Sequence, residues 1–181
     1  MSIDLGPGFE DRLAAGEAEA FRKLVEAYKR RFYGLAYEFT RNGPDAEDVS
    51  QAAFIKVFRS IRTFRKGANL NSWLYRIVVN AAIDHLRKRS FFPASFSGAV
   101  DVERTGPSED PARRAEAALL REKIDRALEA VSEREKAAFL LRHDHGLDLK
   151  EIAEVLGVSL GAVKSYLFRS VRKIQKEVEY V

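Results

Sequence analysis

Few stretches of this 181-residue sequence carry side chains whose type and spacing could perform chemistry. His143-Asp144-His145 offers three metal-ligating groups in a row. Residues two apart do not share a helix face, and no further ligand is evident, so the triplet falls short of a zinc set. The carboxylate pairs Glu47/Asp48 and Glu109/Asp110 sit at a helix start and in a Pro-containing stretch, where charge and solvation account for them. There is no P-loop and no G-x-G-x-x-G. With no cysteine, a disulfide framework, a thiol nucleophile and a cysteine-based zinc site are excluded. The expectation is a protein that is not an enzyme and takes no metal and no cofactor. What remains is a polar edge near the end of the chain: Lys164, Ser165, Arg169, Arg172 and Lys173, opposite an apolar stripe of Val163, Leu167, Ser170, Val171 and Ile174. Cations and hydroxyls in that pattern can grip phosphates and read base edges.

Such an edge works only if its helix is presented rigidly. Immediately upstream, Leu149, Ile152, Ala153 and Leu156 recur at i, i+3, i+4, i+7 and predict a helix over Leu149 to Leu156. Gly157 ends it by tolerating the left-handed conformation. Ser159 is placed to cap the next helix, and Ala153 is small where the two must approach. An ordinary helical hairpin shares any one of these features. All of them in register are the layout of a helix-turn-helix with a major-groove recognition helix.

The rest of the chain reads as helices too. Hydrophobic content of 46% against 32% charged predicts a folded chain rather than a disordered one. A net charge of +4 and a pI near 9.3 weakly favour a polyanionic partner. No apolar run approaches the roughly 20 residues of a membrane span, so no membrane insertion and a cytoplasmic location are expected. Residues 1–16 read as a frayed tail. From Glu17, Phe21, Leu24, Val25, Tyr28, Phe32, Leu35, Ala36 and Phe39 form one stripe. Asn42-Gly43-Pro44 breaks it, with Asp45 as the expected cap of a second helix to about Phe64. That helix is apolar on more than one side, which predicts a central helix or one that meets a partner. A polar loop from Arg65 to Asn71 follows, then a helix capped by Ser72 and running to about Arg89. Ser90 to Arg113 loses periodicity, holds three prolines, and between Phe91 and Ala112 carries Asp101, Glu103, Glu109 and Asp110 against Arg104, a net −3. Helical periodicity resumes at Arg114, and Ser132 to Glu135 forms a capping box. The expected fold is all-α: two small helical domains, 17–89 and 114–181, joined by a flexible acidic linker, 90–113.

At Phe64 to Arg89 the sequence FRKGANLNSWLYRIVVNAAIDHLRKR resembles region 2 of the extracytoplasmic-function (ECF, group IV) sigma factors of bacterial RNA polymerase. The phrase S-W-L-Y-R-I-x-x-N, Ser72 to Asn80, carries most of that resemblance. D-x-x-Q-x-x-F, here Asp48, Gln51 and Phe54, is similar to the segment with which the family grips core polymerase. EIAEVLGVSLGAVKSYLFRSVRKI is similar to region 4, which reads the −35 element. The chain departs from the family pattern at Ala52, at Ala162 and Tyr166, and at Val131-Ser132 before the capping box.

The resemblance implies a function: binding core RNA polymerase and directing promoter-specific initiation. It implies that Asp48, Gln51 and Phe54 meet polymerase. It implies that Arg65, Lys66, Asn69, Asn71, Ser72, Arg76, Asn80, Arg87 and Lys88 recognise and melt the −10 element. It implies that Ser159, Gly161, Lys164, Ser165, Phe168, Arg169, Arg172 and Lys173 read the −35 element. Implied partners are core polymerase and promoter DNA, with an anti-sigma factor as a further candidate, and the implied place is the cytoplasm, at the nucleoid when bound to polymerase. The physical reading runs parallel. Asn69 and Asn71 offer amide edges to an extruded base, and the Arg87 to Arg89 cluster suits phosphates. Two rivals are a sigma mimic that sequesters an anti-sigma factor without touching DNA, and a stand-alone helix-turn-helix regulator.

Overall fold

A computed structural model describes residues 5–64, 67–91 and 111–179. Arg65, Lys66 and most of the expected linker lie outside the described residues. Among those described there is no strand, and the fold is all-α. The helices are α1 (Phe9–Ala14), α2 (Ala18–Thr40), α3 (Gly43–Ser60), α4 (Leu70–Phe91), α5 (Pro111–Glu129), α6 (Glu133–His143), α7 (Leu149–Leu156) and α8 (Leu160–Glu179). A 3₁₀ turn, Ile61–Thr63, follows α3.

The amino-terminal half is an α2–α3–α4 bundle. The α2 stripe of Leu24, Tyr28, Phe32, Leu35 and Phe39 is buried, as are Ala46, Val49, Ala53 and Val57 of α3. The stretch expected to be a frayed tail carries α1, which docks through Phe9 and Leu13, 4% and 1% exposed. Apolar residues four apart put both side chains on one face, so six residues suffice to anchor it. Between α2 and α3 the chain turns at Arg41, the one non-glycine at positive φ (52°) among the described residues. The cap of α3 is Asn42 rather than Asp45: the Asp45 amide donates to Asn42 Oδ1 at 3.0 Å. Pro44 therefore sits in the first turn of α3, where its missing N–H costs nothing, instead of marking a break. Likewise Asn69, not Ser72, caps α4, its Oδ1 accepting from the Ser72 amide at 3.0 Å.

The central helix is α4 rather than α3. Leu74, Tyr75, Ile77, Val78, Val79, Ala82 and Ile83 are all buried, which covers more than one face of a helix. One side packs on α2 and α3 and the other meets α7. On α3, by contrast, Ile55 and Phe58 stay 51% and 60% exposed.

The carboxy-terminal half follows the expected plan closely. Ser132 and Glu135 make the capping box of α6, with Ser132 Oγ accepting from the Glu135 amide and Glu135 Oε2 from the Ser132 amide. Asp148 and Glu151 make a second one on α7. Gly157 ends α7 at φ 64°. The two halves then pack on each other. Tyr75 of α4 is fully buried, and its hydroxyl lies 3.2 Å from His145 Nδ1. His145 Nε2 lies 3.2 Å from Glu38 Oε2. As a carboxylate Glu38 can only accept, so the Nε2 hydrogen points to it, and Nδ1 shares the second hydrogen bond with the Tyr75 hydroxyl. Arg121 reaches Glu38 at 3.9 Å and Asp144 at 3.0 Å, and Lys136 Nζ donates to the Phe39 carbonyl at 3.4 Å.

Candidate nucleic-acid interface

The helix expected to read the −35 element is α8. Val163, Ser170 and Ile174 face inward and anchor it, with Leu167 and Val171 half-buried. Ser159 Oγ accepts from the Ala162 amide at 3.2 Å, fixing the start of the helix. Gly161, Lys164, Ser165, Phe168, Arg169, Arg172 and Lys173 are exposed. They are not equivalent. Arg169 Nε lies 2.6 Å and Lys173 Nζ 3.7 Å from Glu135, a side chain 8% exposed, and Lys173 also donates to the Ala130 carbonyl. Burial works to raise the Glu135 carboxyl, but the Ser132 amide, Lys173 and Arg169 together bring it below the usual carboxylate range. Lys164 and Arg172 stand outside this cluster. The Arg172 guanidinium lies over the Phe168 ring at 5.6 Å, and that ring is itself 62% exposed. An exposed aromatic on a recognition helix can meet a thymine methyl. At Tyr166 the side chain is half-buried, with Arg169 over its ring at 5.4 Å.

On α4 the expected −10 residues separate into two sets. Asn71 and Ser72 are 3% and 2% exposed, so neither is presented to DNA in this structure. The Tyr28 hydroxyl donates to Asn71 Oδ1 at 3.1 Å, while Asn71 Nδ2 and Ser72 Oγ have no partner among the described residues. The reason is helical register: with α4 starting at Leu70, both residues fall in its first turn and point into the bundle. Asn69, Arg76, Asn80, Arg87 and Lys88 are exposed. At 100° per residue, Asn69, Arg76, Asn80 and Arg87 fall within about 60° of one another and line one edge of α4. That edge is about 27 Å long at 1.5 Å per residue.

A third surface lies on α3. Asp48 and Gln51 are exposed at three-residue spacing, so one flank presents both. Phe54 is half-buried and stacks on Phe32 with ring centroids 4.6 Å apart, which makes it a support of that flank. Ile55 and Phe58 extend the surface with apolar area that periodicity flagged without assigning. Among the described residues no group of three or more His, Asp and Glu could hold a metal ion. His145 has the interdomain role described above, and His143 packs on Phe139. No helix among the described residues is long and apolar enough to cross a membrane.

Residues 24–92 match the Sigma-70 region 2 family and residues 121–174 the Sigma-70, region 4 family. The chain is 33% identical to the RNA polymerase sigma-H factor of Pseudomonas aeruginosa, over 93% of this chain and 91% of that one. It is 31% identical to the ECF RNA polymerase sigma-E factor of Escherichia coli, over 93% and 92%. Its fold resembles that of CnrH in complex with the cytosolic domain of CnrY, with a TM-score of 0.70 and 22% identity over 94% of this chain and 95% of that one. It also resembles the sigma factor RpoE in complex with the anti-sigma factor NepR from Bartonella quintana, with a TM-score of 0.70 and 20% identity over 90% and 99%. The chain belongs to the extracytoplasmic-function group of the sigma-70 family of RNA polymerase sigma factors.

Proposed function

We propose that this chain binds core RNA polymerase through α3, reads the −35 element with α8, and reads and opens the −10 element with the exposed edge of α4. As a member of its family it is a transcription initiation factor rather than an enzyme. The observation that carries the assignment is the joint presence, in one chain, of an exposed mixed flank on α3 and two separate polar, basic edges on α4 and α8. A stand-alone regulator needs only the second edge. A mimic that avoids DNA has no use for exposed Lys164, Phe168 and Arg172 on a capped recognition helix. An anti-sigma factor is a proposed further partner, by likeness to the Bartonella quintana complex. The proposed place of action is the cytoplasm, at the nucleoid when polymerase is bound.

The test is transcription by purified core polymerase with and without this protein, on promoter templates. Stimulated, promoter-dependent initiation, with poor duplex binding by the protein alone, is the expected result. Tight sequence-specific binding by the free protein, with no effect on polymerase, sinks the proposal in favour of a stand-alone regulator.

A further inference from the structure

Among the cations described on the α8 edge, Arg169 alone sits between a carboxylate and an aromatic ring. On one side its Nε lies 2.6 Å from Glu135 Oε1. Glu135 is itself fixed, because its Oε2 accepts from the Ser132 amide at 3.1 Å in the capping box of α6. On the other side the guanidinium lies over the Tyr166 ring, 5.4 Å from its centroid. Tyr166 is half-buried and packs against the core, so its ring is an anchored surface. The neighbouring cations are placed differently. Arg172 rests on Phe168, a ring that is 62% exposed and not anchored in this way. Lys173 donates to the Ala130 carbonyl and ties α8 back to the turn after α5. The hold on Arg169 leaves its reading end open. An arginine has five N–H donors, and the ion pair uses the one on Nε. Both terminal NH2 groups of this half-exposed side chain remain as donors, the pair that meets O6 and N7 of a guanine. At 100° per residue, Arg169 stands about 40° from exposed Ser165 and about 60° from Tyr166. It therefore borders the exposed edge on one side and the anchored ring on the other. An unrestrained arginine loses side-chain freedom when it binds, which costs a factor of about 2–10 in affinity. An arginine already held in place avoids most of that loss.

We propose that Tyr166 is a specificity-determining positioning residue: with Glu135 it clamps Arg169 so that the terminal NH2 groups read one base pair of the −35 element, a guanine by this chemistry. This role rests on the −35-reading function given to α8 above. Tyr166 is one of the positions at which the chain departs from the family pattern, so the clamp is not part of that pattern.

The test uses the full chain bound to core polymerase, and promoter duplexes in which each −35 base pair is exchanged in turn. Arg169→Ala identifies the position that Arg169 reads, where discrimination should vanish. Tyr166→Leu keeps an apolar contact with the core but removes the ring. It is expected to lower discrimination at that same position about 2–10-fold and to leave the other positions unaltered. Tyr166→Phe keeps the ring and should keep the preference. Glu135→Gln releases the other side of the clamp and should relax the same position, so the clamp is tested even if Tyr166→Leu folds poorly. In the Arg169→Ala background Tyr166→Leu should add nothing, because a residue that acts through another is not additive with it. A bracing role for these side chains would not move base preference. A uniform loss across all −35 sequences in Arg169→Ala or Tyr166→Leu therefore overturns the proposal. So does full preference retained in both Tyr166→Leu and Glu135→Gln, or an undiminished effect of Tyr166→Leu without Arg169. Failure of the underlying function is a separate result: an unchanged chain that shows no −35 preference with polymerase removes the reading role of α8 itself.

Discussion

Single residues divide the basic edge of α8 into two groups by their partners. Glu135 holds Arg169 and Lys173 while Lys164 and Arg172 remain outside its reach, so substitutions should not act alike. Lys164→Ala, near the capped start of α8, is expected to cost about 1–3 kcal/mol on its preferred −35 sequence and to relax preference at one position. Arg172→Ala should weaken all sequences alike and lower the salt slope by roughly 0.9. Binding of the polymerase complex to a panel of −35 variants at several salt concentrations separates the two, and a uniform loss for Lys164→Ala moves base reading to a neighbour. Glu135 itself predicts a pH dependence. Its folded carboxyl lies below its ordinary value, so its contribution to stability is present above about pH 4.5 and is lost as pH falls through the lowered value. Glu135→Gln can still cap α6 but loses the charge. Since Arg169 is half exposed, the screened loss should be about 1 kcal/mol near neutral pH. The gap between the melting curves of the two proteins should shrink as pH falls below about 4.5 and through the lowered carboxyl value, and a gap that stays constant throughout the acid range would assign the effect to packing.

At the scale of elements, what could be read in the sequence was what local chemistry decides. Leu149 to Leu156, Gly157 and Ser159 predicted α7, its stop and the cap of α8 correctly, because each signal lies within one turn of the feature it controls. Two caps were misassigned. Asn42 and Asn69 precede Asp45 and Ser72 by three residues, and the earlier residue won each time because it could accept from the later one's amide. That three-residue slip also explains Asn71: shifted into the first turn of α4, it turns inward to Tyr28 and away from solvent. The broad apolar pattern of α3 allowed two readings, and the structure leaves Ile55 and Phe58 exposed beside Asp48 and Gln51. Asp48→Ala with Gln51→Ala should therefore weaken core-polymerase binding while changing stability by less than about 0.5 kcal/mol, since exposed substitutions seldom cost more. Affinity by titration of labelled polymerase, alongside melting, is the check, and full affinity in the double variant removes this flank from the interface.

For the whole molecule, the contact that matters most was invisible to periodicity. Glu38 and His145 are 107 positions apart, and neither belongs to a motif. A glutamate within the buried stretch of α2, beside Leu35, Ala36 and Phe39, was the one local anomaly, since a carboxylate there must find partners. Its partners come from the other half of the chain. Tyr75 makes the packing of the halves measurable. Burial pushes its phenol up from 10.0 to about 12, against the opposing pull of Arg31. A group whose folded value is raised contributes its stability fully below the unfolded value, here about pH 10, and loses it as pH climbs towards about 12. That difference corresponds to about 2–3 kcal/mol. Tyr28 is buried and raised as well, so some alkaline loss must persist without Tyr75. Tyr75→Phe is expected to cost about 1–3 kcal/mol at neutral pH, because buried His145 Nδ1 loses its hydrogen-bond partner. Between pH 10 and 12 the same variant should lose less stability than the unchanged chain, so the gap between them narrows or reverses. Urea unfolding across that range, with phenolate absorbance followed in parallel, makes the comparison. Lysine deprotonation affects both proteins equally and cancels. If the two lose stability in parallel from pH 10 to 12, Tyr75 is not held neutral by the packing of the two halves.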